Sequence, residues 1–258
     1  MGRFVQDSES HGSLRDLQIL INEKSDLLDK EVSNILKKNI CITWKSPIKT
    51  DQFAEYRDED FLKLLDLESK IKVPLENFWP KLGPQWDALG LNDKTVFLVE
   101  AKANVPEIVS SPTSAGPESK SRIIDAFAEV KEYLNIYNNV DWTGTFYQYA
   151  NRIAHLYYLK ILNGIDAYLI NIYFLNDKSV EGPSTKEEWK GALTVIKQYL
   201  GISKRNKLDK YMLDIFIDTN NQCKGIGTSL LNKVKENRDN LTLSVYKKNI
   251  NAINFYKK

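Results

Sequence analysis

Residues 95–103 constrain the fold more than any other stretch of the chain. Thr95-Val96-Phe97-Leu98-Val99 is β-branched and apolar, and it runs directly into Glu100-Ala101-Lys102-Ala103. That composition predicts a buried strand. Alternate side chains of a strand share a face, so Val96, Leu98, Glu100 and Lys102 are predicted on one side. A carboxylate and an ammonium two residues apart then lie beside a hydrophobic core. Such a pair is costly unless something compensates it. A divalent metal with a phosphate is the compensation expected from the sequence. Just upstream, Trp86-Asp87-Ala88-Leu89-Gly90 offers a second carboxylate that one small sheet can bring to the same place.

The rest of the composition narrows the possibilities. A chain of 258 residues makes one large domain or two small ones. Its formal net charge of +2 excludes a global basic field, so a nucleic-acid partner requires a local patch. The two histidines, His11 and His155, argue against a histidine-rich metal site and against a Ser-His-Asp triad. Cys41 and Cys223 lie in no metal-ligand spacing, which predicts a reducing, cytoplasmic setting. No apolar run is long enough for a bilayer span, and no signal-peptide core follows Met1. No membrane partner is expected.

Periodicity places the remaining elements. Residues 1–13 are polar and expected to fray. Apolar positions over 14–36 follow a helical period with a break or cap at Ser25-Asp26. A short strand is expected over 40–44 and a helix over 58–67. A loop-rich approach through Pro74, Pro80, Gly83 and Pro84 leads to Trp86. Residues 106–117 form a Ser/Pro/Gly-rich surface loop. Helices follow over 119–137 and 146–162, then a strand over 167–174. A helix over 189–200 ends at Gly201, and a strand spans 212–218.

The spacing of Asp87 and Glu100-Ala101-Lys102 resembles the PD-(D/E)xK phosphodiesterase superfamily. The run from Asn77-Phe78-Trp79-Pro80 to Gly90, then Val99 to Lys102, is similar to bacterial proteins of that superfamily. The resemblance implies that Asp87 and Glu100, with the backbone carbonyl of Ala101, hold Mg²⁺, a hard cation that prefers oxygen ligands. It implies that Lys102 orients or deprotonates the attacking water and neutralises charge on the phosphorane. The chain departs from the namesake motif in that Trp86 precedes Asp87 and the nearest proline is Pro84.

Two further segments fit that resemblance. Glu55-Tyr56-Arg57-Asp58 precedes the first core helix, where the superfamily often adds an acid to the metal shell. Glu55 is the candidate, with Asp58 and Glu59 as alternatives. An ordinary acidic helix start is the competing reading. Gln148, Asn151 and Arg152 share a helical face. A glutamine on the helix after the catalytic strands supports the site in several branches of the family, which the resemblance assigns to Gln148, and a phosphate contact is expected of Arg152. A plain polar face is the competing reading. Tyr147, Tyr149, Tyr157 and Tyr158 suit either base stacking or core packing.

The C-terminal stretch resembles a second family. Gln222-Cys223-Lys224-Gly225-Ile226-Gly227, followed by a helix from Thr228, resembles the Q-x-x-G-x-G signature of the GNAT N-acetyltransferase superfamily. There, glycines let backbone N–H groups reach the pyrophosphate of coenzyme A. The match implies acetyl-CoA contacts from Gln222, Lys224, Gly225, Gly227 and Thr228. Asn249-Ile250-Asn251-Ala252-Ile253-Asn254-Phe255-Tyr256 resembles that family's next motif. It implies a cofactor contact by Asn249 and protonation of the leaving thiolate by Tyr256. The match covers only about the central third of a GNAT fold.

The expected architecture is α/β. Residues 1–218 form a restriction-endonuclease-like mixed central sheet flanked by helices, and 219–258 a partial GNAT-like β-α-β-α unit. The expected activity is Mg²⁺-dependent phosphodiester hydrolysis of nucleic acid, with DNA as the partner. The alternatives are acetyl-CoA-dependent acyl transfer by the tail, and a nuclease-fold module that binds without turnover.

Overall fold

A computed structural model of the protein describes residues 2–7 and 10–219. In chain order the elements are β1 (Arg3–Phe4), α1 (Gly12–Glu23), α2 (Ser25–Leu36), β2 (Thr43–Ser46), β3 (Glu55–Tyr56), α3 (Asp58–Leu64), α4 (Leu75–Phe78), β4 (Ala88–Asn92), β5 (Thr95–Lys102), α5 (Pro117–Leu134), α6 (Tyr147–Tyr157), β6 (Ala167–Leu175), α7 (Lys186–Leu200) and β7 (Met212–Asp218). Five strands form one mixed sheet in the order β2-β4-β5-β6-β7. The β2, β4 and β5 pairings are antiparallel, and those of β5, β6 and β7 are parallel. The described residues therefore form a mixed α/β fold.

This topology follows from the connections. Only Asp93 and Lys94 separate β4 from β5, which compels an antiparallel hairpin with Asn92 opposite Thr95. The parallel step from β5 to β6 needs a crossover, and 103–166 supplies it through α5 and α6. Both faces of β5 are covered. Val96 and Leu98 pack in a cluster with Phe127, Ile153 and Trp189. Phe97, Val99 and Ala101 pack in another with Leu17, Leu28 and Val32. Double coverage explains why the strand reads as a continuous apolar run rather than an alternation. Fully burying each Val or Leu contributes about 1.5–3 kcal/mol. Gly90 in β4 has a packing reason. A Cβ there would lie 2.5 Å from Ile42 Cγ2.

Local chemistry sets the helix ends. The expected break between the first two helices falls at Lys24. At α7 the Thr185 side chain accepts from the Glu188 N–H, and Glu188 Oε2 accepts from the Thr185 N–H 2.8 Å away. This capping box satisfies two donors that a helix start leaves orphaned. Gly201 closes the helix in the left-handed region, at φ 77°. Thr185→Ala is expected to cost about 1 kcal/mol. Denaturation followed by tryptophan fluorescence reads this directly, because Trp189 is buried in the same helix.

Several boundaries differ from the sequence expectation. Residues 3–4 do not fray: β1 pairs with β3. The expected strand over 40–44 begins only at Thr43. The N–H groups of Ile40, Cys41 and Ile42 donate instead to Ser33 Oγ, Asn92 Oδ1 and Asp29 Oδ1, leaving nothing for a ladder. The 119–137 helix starts at Pro117, the favoured first helical position, and stops where Asn135 adopts φ 57°. The 146–162 helix changes at Tyr158 into a π-helical turn, Tyr158–Leu162. The loop over 106–117 contains a 3₁₀ turn, Pro106–Ile108.

A buried acidic pair ties α1 to the loop after β6. Arg15 lies 2.7 Å from Asp16 and 3.2 Å from Asp177, and Asp177 also accepts from Ser179. Burial pushes the Asp16 carboxyl up to about 6. Arg15 opposes that shift, and Asp177 adds to it. A folded-state value above the unfolded one favours the protonated form. The associated stability is therefore complete below the unfolded value of 3.8 and is lost as pH rises through about 6. Asp16→Asn is expected to raise Tm by a few degrees at about pH 7.5, and by much less at about pH 5. Equal Tm changes at both pH values would contradict this.

Residues through Thr219 form one compact unit, and 220–258 lie outside the described residues. Among the described residues no helix is long and apolar enough to cross a membrane.

Candidate functional site

Glu100 and Lys102 share a face of β5, as the strand period requires, and Lys102 Nζ lies 2.6 Å from Glu100 Oε1. Their compensation within the protein is a third side chain, Arg152 of α6. Its Nε donates to Glu100 Oε2 at 2.5 Å. Its other donors go to the backbone carbonyl of Gln85 at 2.7 Å and to Asn151 Oδ1 at 3.0 Å. The guanidinium carbon stands 4.9 Å over the Trp86 ring. The arginine side chain is only 4% exposed, so its donors are committed inside the protein rather than open to a phosphate.

Asp87 sits one residue before β4, just beyond the Ala88–Val99 pair, and so lies across from Glu100. Its Oδ2 accepts from the Ala101 N–H at 2.7 Å. The sheet thus brings Asp87, Glu100, Ala101 and Lys102 together. Glu55, in the two-residue strand β3, is buried. Its Oε2 accepts from Gln85 at 2.6 Å and from Gln6 at 2.8 Å. Glu55, Gln85, Asp87, Gln148, Asn151 and Arg152 all line one open cleft of about 460 Å³. Beneath it, Glu100, Lys102, Gln148, Tyr149 and Asn171 line a cavity of about 20 Å³, room for about one water. Tyr149 Oη is buried there and makes no hydrogen bond, while Glu100 Oε1 has Lys102 as its one partner.

The charges are unequal in their surroundings. Burial and the neighbouring Glu100 hold the Asp87 carboxyl well above the usual carboxylate range. Burial likewise raises Glu55, against the hydrogen bonds from Gln85 and Gln6. For Glu100 burial acts in the same direction, but Arg152 and Lys102 outweigh it and leave the carboxyl below its ordinary value. Burial opposes the charge on Lys102, but Glu100 and Asp87 overcome it and raise the ammonium. The site thus combines an ionised glutamate, a committed ammonium and an aspartate with no cationic side chain directly bonded to it.

The other expected residues are placed as follows. Asp58 caps the backbone N–H groups of Leu82 and Gly83, at 3.1 and 2.8 Å. Glu59 faces solvent beside Lys63. Of the three acids considered near α3, Glu55 alone lines the cleft. It does so from a strand rather than from a helix. Tyr157 and Tyr158 are core residues, and Tyr147 and Tyr149 pack partly buried against them. His155 is buried between Trp79 and Trp86, and burial pulls it down to about 3, so it is a neutral packing group. Gln222, Lys224, Gly225, Gly227, Thr228, Asn249 and Tyr256 lie outside the described residues.

Sequence reasoning missed Gln85, which joins two parts of the site. Its amide holds Glu55 and its carbonyl holds Arg152. It also missed Asn171 and Asp214. In register, Glu100 faces Asn171 and Asn171 faces Asp214, so a polar row crosses three strands. Asn171 donates to Asp214 at 3.0 Å, and Lys197 of α7 pairs with Asp214 at 2.9 Å. The signal was present, because a lone asparagine inside Ala167–Leu175 interrupts an otherwise apolar run. No protein-family model, curated protein or solved structure matches the chain.

Proposed function

We propose that residues 1–218 form a Mg²⁺-dependent phosphodiesterase of PD-(D/E)xK type that cleaves nucleic acid, with DNA as its substrate. The observation that carries this reading is the convergence of Asp87 on the Ala101 N–H, beside the Glu100–Lys102 pair and at the wall of an open cleft. The order of strands also supports it. An antiparallel hairpin carries both acids, and a parallel crossover brings the Gln148 helix over them.

The donor set suits a hard cation. No group of three or more acidic, histidine or cysteine side chains among the described residues is arranged to hold a metal. Mg²⁺ does not require one, since it binds through one or two carboxylates and keeps several waters. Asp87 lacks a directly bonded cation, and Glu100 Oε1 faces only the Lys102 ammonium. Those two carboxylates, with the Ala101 carbonyl, are the residues that would hold it. When bound, the metal supplies Lewis-acid polarisation of the phosphate and a template for in-line attack.

The chain's own residues do the rest. Lys102 remains an ammonium, so it orients a water by donation and offsets negative charge on the phosphorane rather than taking a proton. Arg152 fixes the Glu100 carboxylate, and Gln148 lies between the open cleft and the water-sized cavity below it.

Supercoiled DNA, linear DNA and RNA incubated with the full chain test the proposal. Cleavage with Mg²⁺ that EDTA abolishes is expected. No cleavage of any of these substrates overturns the catalytic reading. A second reading, a nuclease-fold binding module, draws on the fact that both Glu100 oxygens already face cations. Mg²⁺ binding without turnover favours it. Acetyl-CoA binding by 219–258 rests on its sequence motifs, and calorimetry with coenzyme A tests that separately.

A further inference from the structure

A second cleft, of about 390 Å³, opens at the end of the sheet where β5 and β6 begin. It is walled by Tyr133, Lys160, Gly164, Lys207, Lys210 and Tyr211. Three lysines and two tyrosines share its wall with Ile161, Ile165 and Asp166. Lys160 lies 3.8 Å from the Tyr211 ring centroid and Lys210 lies 4.9 Å from the same ring, while Lys207 stands 4.8 Å over Tyr133. Lys160 is anchored by Asp166 at 2.9 Å. Among the described residues neither Lys207 nor Lys210 forms an ion pair with a carboxylate. Exposed Lys204 and Arg205 extend the basic run next to Lys207. The Tyr158–Leu162 π-helical turn carries Lys160, and Gly164 at φ 68° bends the chain back toward β6. Turns of that kind are rare and occur frequently at functional sites.

We propose that this cleft binds single-stranded nucleic acid, with Lys207 and Lys210 on its phosphates and Tyr133 and Tyr211 as stacking platforms. Lysines beside tyrosines match the two needs of such a ligand. Basic groups track the backbone, and aromatic faces accept any base. In the free protein each ammonium rests on a ring, a weak contact at an exposed site. A strand exchanges the Lys207 and Lys210 contacts for phosphate contacts and opens the ring surface they cover to bases, while Lys160, held by Asp166, stays on Tyr211. Thr95 and Glu100 lie five residues apart on β5, roughly 17 Å at strand rise, so this cleft is separate from the one at Asp87. α6 and the turn after it connect the two, carrying Gln148 and Arg152 at one end and Lys160 at the other.

Anisotropy of a labelled oligothymidylate with the full chain tests this, with EDTA present so that binding is read without cleavage. The Lys207→Glu/Lys210→Glu variant should bind at least tenfold more weakly. Its slope of log K against log salt should be shallower by about 1.4, because two phosphate contacts are lost. Tyr211→Leu should weaken binding without changing that slope, which a role confined to folding would not produce. Unchanged affinity in the charge-reversal variant overturns the proposal. So does tighter binding of a duplex of the same length. Competition by inorganic phosphate as effective as that by unlabelled oligonucleotide also overturns it, and marks a free-phosphate site instead.

Discussion

Lys102→Ala is expected to lower Mg²⁺-dependent DNA cleavage by about 10³-fold or more, because charge stabilisation and positioning of the attacking water are lost together. The protein should remain folded. Glu100 keeps Arg152 as its partner, and the Lys102 side chain is partly exposed, so water can replace the ammonium. Initial rates on supercoiled DNA, alongside unchanged tryptophan fluorescence, check both halves of this expectation. All five tryptophans (Trp44, Trp79, Trp86, Trp142 and Trp189) lie within the described unit, so the fluorescence reports on that unit. Cleavage that survives this substitution would remove Lys102 from the mechanism and leave the Glu100–Lys102 contact a structural ion pair.

Arg152→Ala is the substitution with the largest expected effect on stability, about 3–5 kcal/mol. It strands Glu100 Oε2 and the Gln85 carbonyl, and it uncovers the face of Trp86. Lys102 stays on Oε1, so the loss comes from burying Glu100 Oε2 and the Gln85 carbonyl without partners rather than from the lost attraction itself. Arg152→Met with Glu100→Gln should therefore recover much of the stability while remaining inactive in cleavage. Denaturant titrations of the single and double variants measure the difference. A single variant that loses less than about 1 kcal/mol would mean that water reaches Glu100 freely.

The sequence made the centre of this arrangement legible and left its surroundings obscure, for physical reasons. β5 was readable because an apolar run turns abruptly into Glu-x-Lys, and strand period alone places both charges on one face. The break between α1 and α2 and the stop at Gly201 were readable because caps are local. The compensating group was not. Nothing in the sequence pairs Arg152 with Glu100, which it reaches from a helix 52 positions away. Glu55 was assigned to the start of a helix, but it belongs to a strand paired with residues 3–4. Two-residue strands carry too little pattern to be seen. Gln85 has no signature at all, because one of its two roles is played by a backbone carbonyl.

The crossover has a consequence for the order in which this molecule is made. The β4–β5 hairpin closes over two residues and is a local event, fast in any chain. Glu100 and Lys102 can therefore be in place early, before 103–166 has folded. The parallel pairing of β6, and with it the docking of Arg152, must wait for a long loop to close. On the hairpin alone the two charges lie open to water. Only completion of the crossover dries the pocket and delivers the arginine in the same step. The cluster around Glu100 is thus completed only when the crossover closes, and a chain without that crossover carries the motif without its arginine.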